Sequence, residues 1–198
     1  MKKLESTWYN MVGVLTIIAV IAGAALAYVN EATKEPIAQI KAKTLSDGIL
    51  AVLNAEKLDS LKTDTLENGS IVFKTDCGYA VKTTDANAFG GNLTVLVGFD
   101  NSGSIKGYRI LESNETPGLG AKAAFWFQEG QKGNVIGKNP GKNNLTVSKD
   151  GGEVDAITAS TITSRAFLRC LNSAYSAVGG SDEDVQSGAS KPIGNSIN

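Results

Sequence analysis

The sequence predicts an α+β domain carried behind a single N-terminal transmembrane helix. Three observations lead there. Glu5 and Glu31 bracket 25 residues without a charge. Short β-branched or aromatic segments then alternate with turn tetrads through the middle of the chain, the mark of antiparallel strands joined by hairpins. Apolar residues at helical spacing precede and follow those strands as flanking helices.

The apolar stretch 11–29 has 19 residues, close to the about 20 that cross a hydrocarbon core as a helix. Trp8, Tyr9 and Tyr28 stand at its ends, where such rings favour the membrane–water interface. Lys2 and Lys3 precede it. The positive-inside rule then keeps residues 1–10 cytoplasmic and exports the chain beyond Tyr28. Ala25-Leu26-Ala27 has the form of a signal cleavage site, so a cleaved signal is the competing reading. The apolar run exceeds the about 7–15 residues of a signal, which favours a retained anchor. Either way the body of the protein lies outside the cytoplasm.

Residues 30–54 form the first helix of the remainder. Ile37, Ile40, Leu45, Ile49, Val52 and Leu53 make one stripe, with Pro36 near the start. This helix either continues the span as a stalk or packs as the first helix of the domain. Strands follow at 70–74 and 79–83, joined by the turn Thr75-Asp76-Cys77-Gly78, and at 93–99 and 105–111, joined by Asp100-Asn101-Ser102-Gly103. Residues 123–129 are a short helix. Residues 130–152 are a loop rich in Gly, Asn and Lys with a strand at 145–147, and 154–157 is a last strand. Phe167, Leu168, Leu171, Tyr175 and Val178 mark a helix over 164–177, ended by Gly179-Gly180. The polar segment 179–198 reads as a flexible tail. The expected plan is 1–10 cytoplasmic, 11–29 transmembrane, 30–178 exported domain and 179–198 tail.

Composition excludes several kinds of chemistry. The net charge is −1 and no long basic run exists, so nucleic acid is not an expected partner. There is no histidine, which removes His-based triads, His metal ligands and imidazole switches. Cys77 and Cys170 stand 93 residues apart and cannot build a four-thiolate metal site in one chain. They read as a small buried residue and a helix-core residue. A disulfide between them stays open in an exported protein. The chemistry therefore falls to other groups or to a bound organic cofactor.

Two segments are candidates for it. In Glu115-Thr116-Pro117-Gly118-Leu119-Gly120, Pro117-Gly118 is a turn signal, and Gly118 and Gly120 carry no side chain, so a flat ligand could approach the backbone. In Asp155-Ala156-Ile157-Thr158-Ala159-Ser160-Thr161-Ile162-Thr163-Ser164, five of ten residues are hydroxylic and a helix begins inside the segment. Thr158, Ser160 or Thr161 could cap that helix, and its free N–H groups suit a phosphate. Read singly, each segment is equally a turn or a cap.

Together they resemble the FMN-binding domain found in the G subunit of the Rnf electron transport complex and in its relative, the C subunit of the sodium-pumping NADH:quinone reductase. The string from Glu115 to Gly120 is one hallmark of that family. The other is D-x-x-[S/T]-G-A-[S/T]-x-[S/T], matched by Asp155, Thr158, Thr161 and Thr163. The sequence departs from it at Ala159-Ser160, where the family has Gly-Ala. The resemblance spans about residues 1–180, with the N-terminal span and the order of the motifs included.

The resemblance implies FMN joined through its phosphate to Thr161. Asp155, Thr158, Ala159, Ser160 and Thr163 would surround the attachment, while Glu115, Thr116, Gly118, Leu119 and Gly120 would shape the ring's environment. Asp155 is the one carboxylate close in sequence to Thr161, and a threonine hydroxyl needs a base to act as nucleophile. The resemblance implies a separate flavin transferase that draws on FAD and would supply that base. The protein would be an electron carrier anchored in the cytoplasmic (inner) membrane, a redox subunit with no substrate site of its own and no metal. It would exchange electrons with other membrane subunits of a complex that couples ferredoxin and NAD⁺ to ion translocation. The alternatives are a component like the C subunit of the quinone reductase, another exported flavin-based electron-transfer protein, and a membrane-anchored binding module without flavin.

Overall fold

A computed structural model describes residues 7–55, 61–66 and 69–179. Residues 1–6 of the expected cytoplasmic segment, and the expected tail from residue 180 on, lie outside the described residues. The chain divides after Leu45 into two units.

The first unit is made by α1, Trp8–Leu53, as far as Leu45. The span and the helix expected after it are one unbroken helix of 46 residues, roughly 70 Å at 1.5 Å per residue. Pro36 lies inside it rather than near a start. Proline there removes one intrahelical hydrogen bond. Trp8, Met11, Leu15, Ile18, Ile21, Leu26 and Tyr28 are all exposed. A helix apolar on every side needs an apolar surround, and among the described residues this helix alone is long and apolar enough to cross a membrane. The expected buried stripe is shorter than its spacing suggested. Ile37 and Ile40 are exposed, and burial is confined to Gly48, Ile49, Val52 and Leu53.

The second unit, from Ser46, is built on a five-stranded antiparallel meander in chain order: β1 Lys62–Thr65, β2 Ile71–Thr75, β3 Gly78–Ala88, β4 Gly91–Phe99 and β5 Ile105–Glu112. A 3-10 turn at Gly120–Lys122 leads into the short α2, Ala123–Trp126. After a long irregular stretch, α3, Thr161–Ala177, packs against β3 and β4. The Thr83 hydroxyl donates to the Cys170 carbonyl (3.2 Å) and the Cys170 thiol to the Leu93 carbonyl (3.7 Å). On this face Val81, Leu93, Val95, Val97, Phe99 and Tyr108 meet Phe127, Phe167, Leu168 and Leu171. Phe167 stacks on Phe127 at 4.3 Å and takes the edge of Tyr108 at 4.7 Å between ring centroids. The other face is covered by the end of α1: Leu96 reaches Gly48, and the backbone at Gly98 lies against Val52. Coverage of both faces explains why β4 is buried from Leu93 to Phe99 without alternation.

Both predicted hairpins form, with Asp76-Cys77 and residues 100–104 as their connections. β3 runs past the expected 79–83, and β1, exposed at all four residues, was not anticipated. The expected strands at 145–147 and 154–157 reduce to one parallel bridge, Val147 to Val154, because the 3-10 turn Ser148–Asp150 interrupts the pairing. The expected helix over 123–129 ends at Trp126. Cys77 is exposed, contrary to the expected burial, because it sits in the two-residue β2–β3 turn. Cys170 is buried, and both thiols are free. Burial pushes the Cys170 thiol up to about 11.

Candidate functional site

The two motif segments, some 40 residues apart in sequence, meet at the start of α3. The first begins where β5 ends. The Thr116 carbonyl accepts from Leu119 N–H (3.1 Å) and Ala121 N–H (3.3 Å). This closes a turn in which Gly118 has φ +79°, a conformation that favours glycine. Space around Gly118 is open, so the turn conformation is its whole requirement. Gly120 is different. A Cβ there would lie 2.2 Å from Glu115 Oε2 and 2.8 Å from Thr163 Oγ1. The bare Cα of Gly120 is what lets these two polar groups converge.

The second segment folds back on the helix it precedes. Ser160 N–H donates to the Ile157 carbonyl (3.0 Å) and Ile157 N–H to Ser164 Oγ (3.0 Å). Ser164 Oγ–H donates to the Ser160 carbonyl (2.9 Å). This closed loop forces Ala159 to φ +61°, a left-handed conformation that costs a residue with a Cβ about 1–2 kcal/mol. The position where the family pattern has glycine is thus a position with positive φ. Ser160 occupies the N-cap of α3, yet its side chain caps nothing. No acceptor among the described residues meets the N–H groups of Thr161, Ile162 or Thr163.

Between the segments lies an open cleft of about 310 Å³. Of the anticipated residues, Glu115, Thr116, Leu119, Gly120, Ala159, Ser160, Thr161 and Thr163 line it. Gly118, Thr158 and Asp155 do not. Gly118 and Thr158 are exposed beside it. Asp155 instead fastens the loop: its carbonyl accepts from Trp126 Nε1–H (2.9 Å) and its carboxylate from Ser148 Oγ–H (3.2 Å). Glu115 is 8% exposed, and its Oε1 accepts from Gly90 N–H (3.2 Å). Thr163 is 1% exposed, and its hydroxyl has no hydrogen-bond partner among the described residues. A buried hydroxyl left unpaired is costly, so this one marks a missing acceptor or donor in the cleft.

Two lining residues escaped the sequence analysis, Phe89 and Ile162. Phe89 lies in the two-residue turn between β3 and β4, and Ile162 is the variable position between two threonines. The Gly90-Gly91 pair ahead of β4 was the available signal for that turn. Around the site, the cations of α3 are already engaged. Arg169 holds Asp85 through two bonds (2.7 and 3.0 Å) and Arg165 holds Asp150 through two (both 2.7 Å). The guanidinium of Arg169 holds the Asp85 carboxyl below its usual range.

Comparison with known proteins places this architecture. A sequence model of the FMN-binding domain family matches residues 89–176, a stretch that includes both motif segments and the cleft. The G subunit of the Na⁺-translocating ferredoxin:NAD⁺ oxidoreductase complex of Acetobacterium woodii is 28% identical over 197 residues, 86% of this chain and 93% of the relative. The G subunit of the ion-translocating oxidoreductase complex of Shewanella amazonensis is 30% identical over 181 residues, 80% and 82% of the two chains. The corresponding protein of Yersinia pestis is 36% identical over 99 residues, 48% of this chain and 46% of the relative. The fold and the family match together define a membrane protein with an FMN-binding domain. Its relatives narrow the class: the chain belongs to the G-subunit family of the ion-translocating oxidoreductase (Rnf) complexes. It is an electron-carrying component of a multi-subunit oxidoreductase.

Proposed function

We propose that Thr161 carries FMN in phosphodiester linkage and that the cleft between Glu115-to-Gly120 and Ala159-to-Thr163 houses the flavin ring. The observation that carries the reading is the start of α3. Three N–H groups without acceptors and an unpaired, buried Thr163 hydroxyl surround the first residue of the helix. A phosphodiester retains one negative charge, which the helix N-terminus favours through those N–H groups and the helix dipole. Thr163 Oγ1 would donate to the same anion or to the ribityl chain. Leu119 and Ile162 would give apolar contact, and Gly120 would keep Glu115 and Thr163 close beneath the ligand. Bound there, FMN would supply the redox chemistry.

Attachment falls to a flavin transferase. Thr161 Oγ would attack the flavin-side phosphorus of FAD, forming the O–P bond as the pyrophosphate P–O bond breaks. AMP would leave, and the hydroxyl proton would pass to the transferase's base. Asp155 holds the loop to Trp126 and Ser148 and would in that way present Thr161 to such an enzyme. The anchored domain would lie on the outer face of the cytoplasmic membrane, in the lipid bilayer through residues 11–29. It would pass electrons among membrane subunits of a complex working between ferredoxin and NAD⁺, as the name of the Acetobacterium woodii relative describes. Tethering maintains a high local flavin concentration where free flavin is scarce.

Flavin fluorescence of the denatured protein in a gel, after co-expression with a flavin transferase, tests this. The wild-type band should fluoresce and Thr161→Val should be dark. A dark wild-type band, with the transferase active on a control substrate, rules the reading out.

A further inference from the structure

We infer that Phe89 is the stacking partner of the flavin ring and that Glu115 positions it; the inference rests on the reading just given. Phe89 is 69% exposed, an unfavourable place for a benzyl side chain unless something covers it. It does not stand on a loose loop. β3 and β4 pair at Ala88 and Gly91, leaving Phe89-Gly90 as a two-residue turn. Gly90 N–H is held by Glu115 Oε1 (3.2 Å). A Cβ on Gly90 would lie 2.3 Å from the Asn114 carbonyl oxygen, so the turn is seated directly on the chain that leads into Glu115. Nearby, Arg169 Nη2 reaches the Asn87 carbonyl (3.5 Å) while clamping Asp85. An aromatic ring carried on a tied-down turn is thus presented, uncovered, on the rim of the cleft that contains Thr161.

The other large exposed apolar groups of that cleft are Leu119, at 42%, and Ile162, at 50%. Ile162 immediately follows Thr161, and Leu119 belongs to the opposite turn. The three apolar groups therefore ring a space next to the attachment residue. The occupant they call for is flat, apolar on its faces and tied to Thr161, which describes an isoalloxazine ring. A phosphoribityl tether frees the ring to leave the cleft, so the protein needs a contact that holds the ring without a covalent bond. Offset or edge contacts between aromatic faces supply such holding. Glu115 reaches the ring through Phe89: its carboxylate joins the β3–β4 turn to the Thr116 turn, so both sides of the cleft keep their spacing.

The test uses the full chain carrying its flavin, in detergent. Iodide quenching of flavin fluorescence and the visible circular dichroism of the bound ring are measured on wild type, Phe89→Ala, Phe89→Tyr, Glu115→Ala and Glu115→Gln, with denatured-gel fluorescence on each. Phe89→Ala should leave the denatured band as bright as wild type while the ratio of docked to undocked ring falls about two- to tenfold, the usual worth of an aromatic pair. Visible dichroism should shrink with it. Phe89→Tyr should restore both, and Glu115→Gln, which can still accept from Gly90 N–H, should preserve what Glu115→Ala loses. Unchanged quenching and dichroism in Phe89→Ala, with a bright denatured band, would overturn the role of Phe89 alone. A dark denatured wild-type band would overturn the covalent reading and this inference together.

Discussion

The two ends of α3 are treated in opposite ways. At its C-terminal end the neighbouring polar groups pair with one another. The Asp100 carboxylate accepts from Ser102 N–H (2.8 Å), Ser102 Oγ–H (2.6 Å) and Ser104 N–H (2.9 Å). Asn139 Nδ2 donates to the Ser102 carbonyl (2.8 Å), and Tyr175 meets the edge of Phe99 at 6.1 Å. At its N-terminal end, among the described residues, the N-cap serine caps nothing, three N–H groups lack acceptors and a buried hydroxyl is unpaired, and Ala159 is strained. Both ends belong to one helix on one sheet, so a general shortage of polar partners does not explain the contrast. The open end gives up local stability where a ligand would restore it, and strain at such a position is a mark of function.

Substitutions test that contrast, and the largest effect is expected beside Thr163. Gly120→Ala would press a methyl group onto Glu115 and Thr163. To move aside, the Glu115 carboxylate would have to give up its bond from Gly90 N–H, so thermal or urea unfolding should show a loss of about 1–3 kcal/mol, the range for overpacking. Flavin content should fall with it. Next comes the ion pair between β3 and α3. Because Arg169 lowers the Asp85 carboxyl in the folded state, the pair's contribution is complete above the carboxyl's unfolded pKa and is lost as pH falls through the lower, folded value. Unfolding followed from pH 7 into the acid range should therefore show wild type converging on Asp85→Asn, from a starting gap of at most about 1 kcal/mol, given the exposure of Arg169.

Smaller effects bear on the open end itself. Ala159→Gly should stabilise the protein by about 0.5 kcal/mol, the relieved left-handed strain less the entropy glycine loses on folding. Equilibrium unfolding of both forms without flavin is the measurement. Ser160→Ala should change stability by less than about 0.5 kcal/mol, although an N-cap serine ordinarily contributes about 0.5–2 kcal/mol. A full capping loss at Ser160 would mean that the end is closed after all, and the contrast would fail.

Much of this was legible in the sequence where chemistry is local. The uncharged stretch before Glu31 is a helix, and the tetrads at Thr75 and Asp100 are hairpins, because turn residues and charge patterns act over a few residues. What escaped depends on partners distant in sequence. β3 continues past Thr84 through Asp85-Ala86-Asn87, poor strand formers carried by the pairing of Thr84 and Asp85 with β4 and by the hold of Arg169 on Asp85. β1 is a polar edge strand, Lys-Thr-Asp-Thr, without an apolar alternation to reveal it. α3 begins at Thr161 rather than at residue 164, since Thr-Ile-Thr is a weak helix former stabilised by tertiary packing. The two motif segments were visible by resemblance, and the left-handed position at Ala159 matches the glycine of the family pattern. Phe89 was invisible because its place on the cleft rim exists only after β3, β4 and Glu115 have come together.

The proposed attachment puts FMN on Thr161, at the open end of α3, and on no neighbouring hydroxyl. Trypsin should release residues 150–165 as one peptide, between Lys149 and the cut after Arg165. Fragmentation of that peptide, from protein matured with a flavin transferase, should place the mass of FMN less one water on Thr161. The same mass on Thr158, Ser160 or Thr163, or an unmodified peptide beside a flavinylated control, would contradict the account.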